Sequence, residues 1–93
     1  MFAVLIEVDV AGVDREAGLA ALRDHVVPAI KSLPGFASGI WLPGGPEGKG
    51  LSLTLWETED DARRMAERFG PGSSPAASAS VVRCEVREVA ATA

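Results

Sequence analysis

The sequence predicts an α+β domain with the element order strand, helix, strand, strand, helix, strand, and three observations predict it. Apolar and polar or small residues alternate along Phe2–Val10, Phe36–Leu42, Leu51–Trp56 and Val81–Val89, the period of two by which a strand divides its side chains between two faces. Along Asp14–Leu33 and Thr58–Phe69 apolar residues recur instead at three and four, the period of an amphipathic helix. Pro34-Gly35, the run PGGPEGKG from Pro43 to Gly50, and Gly70-Pro71-Gly72 punctuate the boundaries.

In the first strand, Val4, Ile6, Val8 and Val10 point one way and Ala3, Leu5, Glu7 and Asp9 the other. Ala11, Gly12 and Val13 turn the chain, and Asp14 is placed to cap a helix, because its carboxylate accepts from the free N–H groups of the first turn. The helix carries Leu19, Leu22, Val26, Ile30 and Leu33 in one stripe with Val27 alongside, and Arg15, Glu16, Arg23, Asp24 and Lys31 on its wet side. Pro28 lacks an N–H and crowds the preceding turn, so a kink is expected near Asp24–Val27, with Pro34-Gly35 ending the helix. The second strand sets Phe36, Ser38, Ile40 and Leu42 against Ala37, Gly39 and Trp41, with Gly39 expected to weaken or bulge it. A long hairpin loop leads into the third strand, which alternates Leu51, Leu53, Leu55 with Ser52, Thr54, Trp56. Thr58 with Asp61 resembles a capping box, and Ala62, Met65, Ala66 and Phe69 form the apolar stripe of the second helix. GPGSSPAASAS, Gly70 to Ser80, reads as a mobile loop. The last strand is expected to turn Val82, Cys84 and Val86 inward and Arg83, Glu85 and Arg87 outward.

The 93 residues make one domain, 1–93, and 47% of them are apolar, enough for a core. No apolar run approaches the roughly 18 to 20 residues that span a bilayer, and MFAVLIEVDV has neither a basic leader nor a cleavage site, so a cytoplasmic location is expected. The net charge of −4, spread rather than clustered, argues against nucleic acid or an anionic membrane as partner. A lone cysteine and a lone histidine, without closely spaced carboxylates, make no metal site. The glycines of Gly44–Gly50 do not form a phosphate loop, since Lys49 is followed by Gly50 rather than Ser or Thr and the segment joins two strands.

The element order is that of a ferredoxin-like βαββαβ domain: a four-stranded antiparallel sheet with two helices on one face and the first and third strands central. The other sheet face then has no cover within the chain. Val4, Ile6, Val8, Val10, Leu51, Leu53 and Leu55 are expected to share that face, and at about 1.5 to 3 kcal/mol per buried side chain such a surface does not stay wet. A homodimer packed through the open sheet face, as a dimeric α+β barrel, is the expected consequence.

Two segments, LPGFASGIW (Leu33–Trp41) and LTLWETEDDARRMAE (Leu53–Glu67), together with the element order, resemble the antibiotic biosynthesis monooxygenase family of dimeric α+β barrels. The resemblance implies a cleft between sheet and helices. Trp56 is similar to the tryptophan that lines this cleft in the oxygenase branches, which turns Ser52, Thr54 and Trp56 toward the helices. In the heme-degrading branch an asparagine occupies the place of Glu7 and a ligand histidine follows the second helix, where this chain has GPGSSPAASAS. The chain also has no tyrosine for the phenolic roles of the polyketide oxygenases. The resemblance therefore implies a small apolar or aromatic ligand, without a cofactor, rather than heme degradation.

Each candidate site residue has two readings. Trp56 and Trp41 are either flat walls on which an aromatic ligand stacks, or packing residues at a core or rim. Thr54 and Ser52 belong to the same face as Trp56. Glu7, a carboxylate in mid-strand, is either a base with a raised pKa or the partner of Arg83 or Arg87. His25 is either a proton shuttle looking into the cleft near Pro28 or a solvated helix-flank residue. Cys84 reads as a small buried hydrophobe without an activating partner. A cofactor-independent monooxygenase would draw its base from Glu7 or His25; the alternative is a non-catalytic dimeric module whose cleft is filled by its own side chains.

Overall fold

A computed structural model describes residues 1–45, 47–73 and 79–93. The chain forms β1 (Phe2–Asp9), α1 (Arg15–Ala21), a π-helical turn (Leu22–Val26), α2 (Val27–Lys31), β2 (Phe36–Leu42), β3 (Lys49–Trp56), α3 (Glu59–Arg68) and β4 (Ser80–Glu88). The strands make one antiparallel sheet in the order β2-β3-β1-β4, the ferredoxin-like α+β arrangement expected from the element order. Ile30 from α2 and Ala62 and Met65 from α3 join Val4, Ile6 and Trp56 in a single core, so both helical layers cover the same sheet face. Part of the loop expected over Gly70–Ser80 lies outside the described residues. No helix among the described residues is long and apolar enough to cross a membrane.

The register corrects the expected composition of the sheet faces. Antiparallel partners share a face, and Val4 pairs with Thr54, Ile6 with Ser52 and Phe2 with Trp56. Val4 and Ile6 are therefore buried beneath the helices with the Ser52, Thr54, Trp56 side of β3. Leu51, Leu53 and Leu55 lie on the open face, but with Glu7, Leu5 and Ala3 as partners, not with the valines and isoleucine of β1. Both sides of β1 carry apolar residues, so its alternation alone leaves the choice of inner side undecided.

Two bulges make further corrections. Between Glu7 and Val8 the pairing on β4 steps from Arg83 to Val81, leaving Val82 unpaired. Val81 turns inward at 2% exposure, while Val82, expected inside, is 43% exposed. On β2 the pairing steps from Phe36 to Ser38, so the irregularity falls at Ala37 and not at Gly39. Phe36 thereby joins Gly39 and Trp41 on the helix side, whereas Ser38, Ile40 and Leu42 face out.

The break expected near Pro28 is present and has a defined form. Pro28 offers no N–H to the Asp24 carbonyl, and the preceding turn widens so that the Val27 N–H bonds Leu22 O, five residues back. Asp14 caps α1 through a 3.0 Å bond from the Ala17 N–H, and Thr58 caps α3 through a 3.1 Å bond from the Asp61 N–H. The helix ends at Lys31, ahead of the expected Pro34-Gly35 stop; Gly35, in the turn into β2, has φ of 81° and sits directly against Asp61, whose carboxylate also accepts from the Thr58 hydroxyl at 2.7 Å. Gly35→Ala would strain the backbone and overlap that carboxylate, so it is expected to lower stability more than Thr58→Ala, whose lost cap costs about 1 kcal/mol. Urea unfolding of the two variants checks the ranking; equal or reversed losses would contradict this account of the junction.

Candidate functional site

The two helical layers meet the sheet differently. Ala62, 0% exposed, lets α3 approach β1, β3 and β4 closely, and Met65 fills the space beside it. Residues of α1, by contrast, include none that is buried. Its stripe, Leu19 and Leu22, continues through Val26 to Ile30 and faces a cavity of about 470 Å³ between this helix and the sheet. Ile6, Val8, Trp41 and Ser52 form the sheet side, and Met65 and Phe69 the α3 side. The mouth lies between the β1–α1 turn and the β2–β3 hairpin, which are tied together by the Val10 N–H donating to Gly48 O at 2.8 Å. Asp9 steadies the same turn, accepting from the Ala11 N–H at 3.1 Å. That bond and the Lys49 ammonium hold its carboxyl below the usual range.

Of the residues singled out in the sequence, two share this cleft. Trp41 and Ser52 are cross-strand partners and both line it. Gly39 makes the placement of the indole possible: a β-carbon there would come within 2.7 Å of the Trp41 ring. Ser52 is 8% exposed and contributes a hydroxyl to an otherwise aliphatic wall.

Trp56 and Thr54 lie deeper, at 1% and 0% exposure, and neither lines the cavity. The Trp56 indole N–H donates to Thr54 Oγ1 at 2.8 Å, and its ring meets Phe36 edge-on at 5.6 Å, so Trp56 is a core residue. Glu7 is on the opposite sheet face, beside Leu51 and Arg83, because it alternates with Ile6. His25 is exposed and lies outside the cleft, on a smaller groove of about 170 Å³. Neither expected base reaches the cavity. The charged side chains that do, Asp14, Arg15 and Glu47, stand at its mouth.

The alternation in β3 did disclose Ser52, but nothing in the strand pattern marked Val8 and Val10 as lining residues, since the face of β1 depends on register. A usable signal lay in helix one, whose stripe begins among the small residues Ala17, Gly18, Ala20 and Ala21 and supplies little bulk to fill the layer. Cys84 is half-buried with its thiol directed at Ala66 O, 3.8 Å away. Burial, and then the neighbouring Glu85 carboxylate, push the thiol pKa up. Among the described residues no group of three or more His, Cys, Asp or Glu is placed to hold a metal ion.

No family model matches the chain, and no curated protein sequence does. Solved structures match over its whole length. A heme-free, cleaved form of a heme-degrading protein from Mycobacterium tuberculosis aligns with a TM-score of 0.62 at 21% identity, covering 100% of this chain and 99% of that one. The heme-degrader MhuD from the same organism, with two hemes bound in its active site, gives 0.61 at 18% identity, covering 100% and 99%. A substituted form of MhuD with two manganese protoporphyrin IX bound per active site also gives 0.61 at 18% identity, covering 100% and 98%. The chain shares the ferredoxin-like α+β fold of these proteins. Within this fold the cleft lies between the first helix and the sheet, with Trp41 and Ser52 on its floor.

A raised thiol pKa lowers the thiolate fraction near neutrality and delays its growth to higher pH. Alkylation of native Cys84 by iodoacetamide is therefore expected to keep accelerating at pH values where glutathione has levelled off. Glu85→Gln, which removes the lesser of the two causes, should shift the profile partway back; a profile coincident with that of glutathione would contradict the assignment.

Proposed function

We propose that the chain is a small-molecule-binding protein of the antibiotic biosynthesis monooxygenase type, holding a flat apolar or aromatic metabolite in the cleft between helix one and the sheet. The observation that carries this reading is the cavity of about 470 Å³, walled by Leu19, Leu22, Ile6, Val8 and the Trp41 ring. Its size falls within the range of small-molecule sites, roughly 300 to 1,000 Å³. That volume favours an open cleft over one filled by its own side chains. A base from Glu7 or His25 forms no part of the reading, because the first lies on the other sheet face and the second outside the cleft.

Heme, two molecules of which are bound in the active site of one of the similar structures, fits this donor set poorly. Among the described residues no histidine, cysteine or tyrosine lines the cleft, and the one sulfur there, that of Met65, belongs to a side chain 1% exposed in the core.

The neutral fluorophore 1-pyrenebutanol serves as a probe. At roughly 0.3 kcal/mol per heavy atom, a Kd on the order of 10 μM is expected, with quenching of Trp41. Leu22→Trp, which fills the cleft, should abolish binding while the circular dichroism spectrum is kept. Absence of binding to the wild-type chain would remove the reading.

The proposal includes a homodimer through the open sheet face. Ile40, Leu42 and Leu53 are 59%, 53% and 41% exposed there in the single chain, beside the half-buried Leu5, Leu51 and Leu55. An aliphatic surface of this extent on a sheet favours cover by a second copy. Light scattering is expected to give twice the 9.7 kDa chain mass, and Ile40→Asp with Leu53→Asp to return it to one. A wild-type mass of one chain at micromolar concentration would overturn this part.

A further inference from the structure

We propose that the groove carrying His25 and Arg68 is a carboxylate subsite at the back of the cleft, so that the ligand is an apolar or aromatic body bearing an acidic tail. The inference rests on the cleft reading above and adds the class of ligand. Three side chains, Val26, Ile30 and Phe69, line both the large cavity and the groove of about 170 Å³. One layer of apolar atoms therefore separates the two spaces. Ile30 is 4% exposed, while Val26 and Phe69 are only half-buried.

The partition stands where the backbone is least regular. Val26 ends the π-helical turn, and Phe69 is the first residue beyond α3. Neither is held inside an uninterrupted run of α-helical hydrogen bonds, so a tail passing between them disturbs two helix ends rather than a helix interior.

The groove's chemistry is asymmetric. Its floor is Val26, Ala29, Ile30, Leu33 and Phe69, and its two polar side chains, His25 and Arg68, are both hydrogen-bond donors. Among the described residues no carboxylate lines it, although the chain as a whole carries a net charge of −4. The nearest acid in sequence to His25, Asp24, is paired with Arg23 at 3.2 Å. Two donors above an apolar floor match a carboxylate carried on a methylene tether, and a guanidinium receives both of its oxygens. The mouth of the cleft offers no such preference, because Arg15 stands there with Asp14 and Glu47.

The test compares 1-pyrenebutyrate with 1-pyrenebutanol, which share ring and tether and differ in the acid, by fluorescence titration of the full chain at low salt. The butyrate is expected to bind about fivefold tighter, the scale of one solvent-facing ion pair with Arg68 and a hydrogen bond from His25. The double variant His25→Gln with Arg68→Gln should abolish that advantage and leave butanol binding as it was, while Arg63→Gln, an equal change in guanidinium charge elsewhere on α3, should retain it. Equal affinity of the two probes for the wild-type chain overturns the subsite and leaves the cleft reading standing. An advantage that survives the double variant and disappears in Arg15→Gln also overturns it, placing the acid at the mouth. Failure of both probes to bind overturns the subsite together with the cleft reading.

Discussion

A strand shows each side chain to one face only, so the pairing of β1 with β3 decides what every other part of this molecule can touch. Slipping that register by one residue would exchange the two sides of β1. With Phe2 and Phe36 opposite Trp56 and Val4 opposite Thr54, three aromatic residues collect at one end of the sheet beneath α3. The indole can be buried there because its one polar atom is satisfied within β3 by Thr54, which removes the penalty of an unpaired donor. Ala62 then lets α3 close down on that end. At the other end β3 presents Gly50 and Ser52, which are too small to reach the first helix. The layer is consequently solid around Trp56 and hollow above Ser52.

Pro28 shapes the roof of the hollow. Four-residue steps on a regular α-helix drift by about 40° each, so a stripe running Leu22, Val26, Ile30 would turn progressively away from the sheet. The wider π-helical turn over Leu22–Val26 absorbs part of that drift and keeps these residues on the cavity. The missing N–H of one proline thus affects the shape of a wall several residues upstream.

Much of this was readable from the residues. The order of elements, the Asp14 and Thr58 caps, the disturbance before Pro28 and the antiparallel pairing of β2 with β3 each follow from local chemistry, and each is present. The face of β1 was not readable, because Leu5 and Ala3 on one side compete with Val4 and Ile6 on the other, and only pairing with β3 breaks the tie. Glu7 went to the wrong side for that reason. The bulges at Ala37 and Val82 were equally hidden: an extra residue in one strand is defined by its partner, and it moved Phe36 and Val81 to the helix side. Trp56 illustrates a different limit. Its residue type suits a core and a pocket wall equally, and only the hydrogen bond to Thr54 and the edge contact with Phe36 separate the two.

The cleft and the open sheet face are not independent surfaces. Leu42 and Leu51 are cross-strand partners that register places on the open face, yet both border the cavity where β2 passes into the hairpin. A second copy laid on that face would bury Leu42 and press on the same hairpin whose Gly48 carbonyl holds the β1–α1 turn. Substitutions at Leu42 or Leu51 therefore confound assembly with ligand binding. Ile40 and Leu53 do not border the cavity and lie on the same aliphatic surface, so they separate the two effects. If ligand affinity falls when only these two are changed, the cleft depends on the neighbouring copy through the hairpin, since no atom of either residue lines it.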